Sequence, residues 1–153
     1  MAVEEESFRT SILYWVRVLE ERSNVAFVQE MGGGKSLVAR WRTLSILSEL
    51  SGLSVNQLTA HTQIERTALS HLLTQMEQEG LVRRESYPGD RRTIGVYLTD
   101  AGRALFEEML PVRRRIFRQA AEGLSEADLQ AMMRITRHLV DNIGDPTEDA
   151  GSG

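Results

Sequence analysis

Arg91 and Arg92 sit side by side in the stretch SYPGDRRTIGVYLTDAGRALF, residues 86–106. Tyr87-Pro88-Gly89-Asp90 before them is turn chemistry, because proline presets φ and glycine accepts positive φ. Two guanidinium groups at the tip of a turn add little to a core. They are either solvated charge or they face an anion, and a phosphate backbone or a narrow, electronegative groove is the partner such a pair would suit.

A second group lies just upstream. From Glu65 to Glu79 the apolar residues Leu69, Leu72, Leu73 and Met76 recur on one side of a helix, and Arg66, Thr67, Ser70, His71, Thr74 and Gln75 fall on the other. These are the side-chain types that hydrogen-bond to base edges, although a solvated face can look the same.

Other constellations carry less. MGGGKS, residues 31–36, resembles the end of a phosphate-binding loop, but Gln29 stands where the first glycine is needed and a helix precedes it, so it reads as an interhelical linker. No serine lies in a G-x-S-x-G elbow, and the three histidines are too scattered for a metal site. With no cysteine there is neither a disulfide framework nor a thiolate switch. The sequence predicts no enzyme, no cofactor and no metal.

At 153 residues the chain suits one domain with a real core. No apolar run approaches a membrane span, and the acidic start MAVEEESF lacks the order of a secretion signal, so the expected location is cytoplasmic. The net charge is −4, but Glu4–Glu6 and the acids at 145, 148 and 149 account for −6, leaving the body near +2. A local patch, not the total, attracts phosphate.

The elements that position these residues follow from periodicity. The spacing predicts a helix over about 7–31, ended by Gly32–Gly34, then a second from 37 to 50 capped by Ser36, with Trp41, Leu44 and Leu47 inward. Ser54 opens a short helix to about Ala60. His61-Thr62-Gln63 breaks it, the polar-faced helix follows, and Gly80 ends that. Strands over 81–86 and 93–98 form a hairpin with Asp90, Arg91 and Arg92 at its tip. Arg84, at its base, is expected to support backbone contacts or pair with Asp90, whose own role is turn formation or contact with DNA. Thr99 caps a long helix to about Glu122 containing Pro111. Ser125 and Asp128 open the last helix, and residues 144–153 read as a disordered acidic tail.

Helix, tight turn, polar-faced helix and basic hairpin, in that order, make a winged helix-turn-helix. The fold class is mainly α with a small β-hairpin wing. The expected organisation is a single domain over 1–143, with helical dimerisation regions at about 7–31 and 100–143 and a DNA-binding lobe at about 37–98. The broad apolar faces of the terminal helices exceed what one small lobe can cover, which points to a homodimer.

The chain resembles the MarR (multiple-antibiotic-resistance regulator) family from about Phe8 to Ile143. The resemblance rests on WRTLSIL, LLTQMEQEGLVRR and GDRRTIGVYLTDAG, the last with the D-x-R pattern as Asp90 and Arg92, then Leu98-Thr99 and Gly102. It implies a homodimer on a near-palindromic double-stranded DNA site, probing successive major grooves with Arg66, Thr67, Ser70, His71 and Thr74, and the minor groove with Arg91 and Arg92. It also implies a small-molecule effector between the dimerisation helices and the DNA-binding lobe. Trp15, Arg17 and Trp41 are the candidate effector pocket, suited to an aromatic carboxylate or its acyl-CoA thioester, with the alternative that both tryptophans are core. Many members carry arginine where this chain has His71, which weakens one expected contact and could make it depend on pH. Absence of cysteine favours ligand sensing over oxidation. The reading is a ligand-responsive, sequence-specific transcriptional regulator, a repressor released by its effector. The alternative is a winged-helix protein-interaction module without DNA binding, since residues 54–92 carry five arginines against five acids.

Overall fold

The computed structural model describes residues 7–144. The acidic N-terminal residues and the tail at 145–153 lie outside them. Six helices and one hairpin follow in order: α1 (Ile12–Met31), α2 (Ser36–Glu49), α3 (Val55–Thr62), α4 (Arg66–Gln78), β1 (Val82–Tyr87), β2 (Asp90–Leu98), α5 (Asp100–Ala120) and α6 (Glu126–Ile143). The chain divides into two compact units, Met1–Ile116 and Phe117–Gly153.

The core of the first unit joins Phe27 of α1, Leu44 and Leu47 of α2, Leu58 of α3, and Leu69, Leu72, Leu73 and Met76 of α4, with Val82, Val96, Met109 and Ile116. Helices α2 to α4 give their apolar stripes to this cluster, α5 gives Met109 and Ile116, and α1 gives Phe27. Each fully buried leucine or phenylalanine contributes about 1.5–3 kcal/mol by leaving water. In the second unit, the Ser125 hydroxyl and the Asp128 carboxylate form a reciprocal cap on α6. No α6 side chain is buried, and Met132, Met133, Ile135, Leu139, Val140 and Ile143 are exposed.

Several boundaries differ from the sequence expectation. α1 starts at Ile12, because Ser11 accepts from the Tyr14 amide and is the cap, and Phe8 lies before the helix. Ser36 does not cap α2. The cap position falls on Lys35, in helical conformation with no side-chain cap bond, so the glycine run ends α1 without supplying a polar start for α2. α3 extends through Thr62, whose buried hydroxyl donates to the Leu58 carbonyl. The turn is thus Gln63–Glu65, with Gln63 at φ 56°. A non-glycine residue there is uncommon, and it sets the angle at which α4 leaves α3.

The hairpin is joined on its outer edge by Leu53, which bridges Val96 (Val96 N to Leu53 O 2.8 Å, Gly52 N to Val96 O 3.0 Å). The Tyr87 hydroxyl donates to the Gly52 carbonyl, fastening the far end of β1 to the same loop. At the opposite end the Thr99 hydroxyl accepts from the Gly102 amide at 3.1 Å and donates to the Gly80 carbonyl. One threonine therefore caps α5 and ties it to the end of α4.

Candidate nucleic-acid interface

α4 presents the two faces its sequence requires. Leu69, Leu72, Leu73 and Met76 are buried, while Arg66, Thr67, His71 and Thr74 are exposed and Ser70 is half-buried. Its N-terminus is capped by Glu65, whose carboxylate accepts from the Thr67 and Ala68 amides at 2.9 and 3.0 Å. Those bonds lower the Glu65 pKa, so the cap stays ionised.

The wing tip is a bulge. Tyr87 pairs with Asp90 and Ser86 with Ile94, so Arg91, Arg92 and Thr93 are extra residues on the second strand. Asp90 closes it: its carboxylate accepts from the Arg92 amide at 2.9 Å and the Thr93 hydroxyl at 2.8 Å. The Thr93 bond first, then the Arg92 amide, lowers the Asp90 pKa. Asp90 thereby supports the backbone that carries both arginines. Neither the Arg91 nor the Arg92 guanidinium forms an ion pair among the described residues.

The expected Arg84–Asp90 pair does not form. Arg84 turns back to α4 instead, donating through Nε to Glu77 at 3.0 Å and through Nη2 to the Thr74 hydroxyl at 3.1 Å. Glu77 also accepts from the Arg84 amide at 3.2 Å. Asp90 is occupied by its own bulge, and Glu77, one turn beyond Thr74, meets the base of β1. The Thr74 hydroxyl also donates to the Ser70 carbonyl at 3.0 Å, so its hydrogen-bonding capacity is largely used within the protein.

Farther back, Arg40 on α2 holds the end of α4 through a bidentate pair with Glu79 (2.5 and 2.6 Å). The pair raises the Arg40 pKa and lowers that of Glu79.

The three residues expected to share an effector pocket are spread out. Trp15 is 52% exposed near the start of α1. Its indole N–H donates to the Arg9 carbonyl at 2.9 Å. Arg17 pairs with Glu21 at 3.6 Å and lines a cavity of about 620 Å³ between α1 and α2, floored by Val25, Val28 and Val38. Trp41 lines a different cavity of about 520 Å³, with His61, Thr62 and Gln63 of the helix-turn-helix. It stacks on Phe106 (centroids 5.5 Å apart, planes at 18°) and tilts against Phe27. Glu20 and Arg42, ion-paired to each other, line both cavities.

A model of the MarR family matches residues 38–94, which take in the helix-turn-helix and most of the wing. A MarR-family transcriptional regulator from Silicibacter pomeroyi superposes with a TM-score of 0.82 at 29% identity, covering 94% of this chain and 97% of that one. Residues 38–94 of the chain belong to the MarR family.

Among its MarR relatives, the transcriptional repressor IacR of Pseudomonas putida is 30% identical over 106 residues, 69% of this chain. The match spans 64% of the length of IacR, a little under two thirds. The Bordetella bronchiseptica regulator BpsR, whose DNA binding is regulated by 6-hydroxynicotinic acid, superposes with a TM-score of 0.75 at 26% identity. That match covers 87% of this chain and 95% of BpsR. As in other MarR structures, the described residues are mostly helical with one two-stranded wing, and none of their helices is long and apolar enough to cross a membrane.

Sequence reasoning passed over Glu20, Arg40, Arg42, Glu77 and Arg113. For Arg113 a signal existed. It lies four residues after Met109 and three before Ile116, on the buried stripe of α5, where a charged residue is out of place.

Proposed function

We propose that this chain is a homodimeric, sequence-specific DNA-binding repressor whose hold on its operator is relaxed by a small aromatic acid. The observation that carries the reading is the pairing of two projections on one rigid lobe. One is the polar outer face of α4, and the other is a bulged wing tip bearing two guanidinium groups with no intramolecular ion pair. In this reading Arg66, Thr67, Ser70 and His71 meet base edges in the major groove. Thr74 stands at the rim, fixing Arg84, and Arg91 and Arg92 enter the neighbouring minor groove. The chain acts by binding and carries out no chemistry.

Dimerisation is part of the same proposal. α6 buries none of its own side chains yet exposes six large apolar ones, and α1 exposes Ile12, Leu13, Trp15, Val16 and Leu19. A second copy is the occupant that would pair two recognition helices with two half-sites. An aromatic acid as effector draws support from BpsR, whose DNA binding is regulated by 6-hydroxynicotinic acid, and from the two cavities beside α2, one lined by Arg17, Lys35 and Arg42 and the other by Arg42 and Trp41.

A gel-shift titration with the DNA upstream of the protein's own gene, with and without 6-hydroxynicotinate or benzoate, tests the whole reading. Saturable binding that one of these acids weakens is the expected result. Failure to retard that DNA at micromolar protein, while binding another protein through α4, would favour the interaction-module alternative.

A further inference from the structure

Three charged side chains meet where α1, α2 and α5 come together. Arg42 donates through Nη2 to Glu20. Both residues line both cavities, so their ion pair forms the partition between the two spaces. Arg113 lies beside them, its guanidinium carbon 4.0 Å from the centre of the Phe27 ring and 5.5 Å from that of Trp41.

The partners of Arg113 are all neutral. Nη2 donates to Asn24 Oδ1 at 2.9 Å, Nη1 reaches Ser23 Oγ at 3.4 Å, and the buried Nε has no partner. No carboxylate among the described residues lies within ion-pair distance of it. Two arginines thus share one carboxylate, and that carboxylate is bonded to the other arginine. A half-buried cation without a counter-ion is unfavourable. The Arg113 pKa is accordingly depressed to about 10, by burial first and by Arg42 second, with Glu20 opposing. The ring contacts with Phe27 and Trp41 soften the cost but do not neutralise the charge. The cluster is one negative charge short. Next to it lie a valine-floored space and the Trp41 face, both suited to an apolar or aromatic body.

We propose that Arg42, backed by the uncompensated charge of Arg113, is the receptor for the carboxylate of a small organic acid, and that Glu20 is its built-in competitor, displaced when the acid binds. The acid's carboxylate takes over the Arg42 fork and Glu20 swings to solvent; the number of anions is unchanged, but the incoming one sits between Arg42 and Arg113 and answers both guanidinium groups. The partition between the cavities opens in the same movement, giving the acid's body room on either side. This deepens the effector half of the proposed function and rests on it only for the consequence at DNA. The binding step stands by itself.

The sign of one substitution separates this arrangement from an ordinary salt bridge. If Glu20 competes, Glu20→Gln must tighten acid binding. If Glu20 merely builds the wall, the same change must weaken it or leave it unchanged. The experiment is calorimetric titration of the full-length protein with benzoate and with 6-hydroxynicotinate at neutral pH, with tryptophan fluorescence as a second readout. Relative to wild type, Glu20→Gln should bind about tenfold tighter, and Arg42→Met and Arg113→Met about tenfold or more weaker, the scale of a charge-assisted contact. Arg113→Lys, which keeps the charge, should fall between. It also guards against reading a misfolded Arg113→Met protein as a loss of binding, and urea melts accompany each variant. The idea is overturned if Glu20→Gln binds no tighter than wild type, if Arg113→Met binds as wild type does, or if wild type takes up neither acid at millimolar concentration. It is equally overturned if Arg113→Met breaks the dimer while acid binding persists, since the missing anion would then belong to a second copy of the chain. A gel shift without acid reads the DNA-binding proposal separately, so the two can fail independently.

Discussion

The Arg84 guanidinium bridges Thr74 on α4 and Glu77 one turn later, joining α4 to the base of the wing. Neither element needs this contact to form, because each packs on the core through its own apolar residues. What the contact fixes is their relative orientation. A site read by two elements at once depends on that orientation as much as on the reading side chains.

Replacing Arg84 should accordingly leave the protein folded and weaken operator binding. Arg84→Met is expected to cost at most about 1 kcal/mol of stability, as a partly exposed ion pair does. Its effect on DNA affinity should be coupled to that of Thr74→Val. A double-mutant cycle by fluorescence anisotropy measures the coupling, and strict additivity of the two changes would show that Arg84 does not position the wing through Thr74.

Arg91→Ala and Arg92→Ala should each weaken binding to many sequences by about 1–3 kcal/mol per half-site and make the logarithmic salt dependence shallower by roughly one unit. Thr67→Ala and Ser70→Ala should change sequence preference with the salt slope nearly intact. Titrations of specific and unrelated duplexes at several salt concentrations distinguish the two behaviours.

Asp90 gives the wing a pH limit. Its folded-state pKa is depressed, so its contribution is present above the ordinary carboxylate range and is lost as pH falls through the lowered value. The Arg92 and Thr93 amide signals should shift together on acidification, and Asp90→Ala should abolish that step. Nuclear magnetic resonance titration of the two amides reads it directly.

Gly102→Ala tests the joint between wing and α5. A Cβ there would stand 2.0 Å from the Leu81 carbonyl oxygen, which is backbone and cannot step aside. Destabilisation at or above the usual 1–3 kcal/mol range for overpacking is expected in urea melts, with α5 displaced from the hairpin.

The exposed apolar stripe of α6 should make the dimer obligatory. Ile135→Glu is expected to shift sedimentation toward monomer and lower the melting temperature in a concentration-dependent way. A well-folded wild-type monomer at micromolar concentration would remove the basis for two coupled half-sites.

Most of the fold was legible because local rules and packing agree. The α4 stripe of Leu69, Leu72, Leu73 and Met76 is buried as its period requires, and Thr99 and Ser125 cap the helices they precede. The misjudged long-range partners fall where contacts cross elements. Nothing near Arg84 in sequence says that Glu77 rather than Asp90 will face it, since the answer depends on how β1 leaves α4. The cap at Ser36 failed because a residue of the right type was already inside the helix. The charged cluster of Glu20, Arg42 and Arg113 draws on three separate helices, and only the misplaced charge on the α5 stripe hinted at it.

Helix α2 has a mechanical meaning that its place in the core conceals. Arg40, which grips Glu79 at the end of α4, and Arg42, which grips Glu20, are two residues apart. At 3.6 residues per turn they project about 200° apart around the axis. The helix is thus a short axle with a handle on either side, one in the cavity wall and the other on the end of α4. Turning that axle by a few degrees moves both handles at once in opposite directions, and the buried Leu44 and Leu47 on the same helix must shift with it.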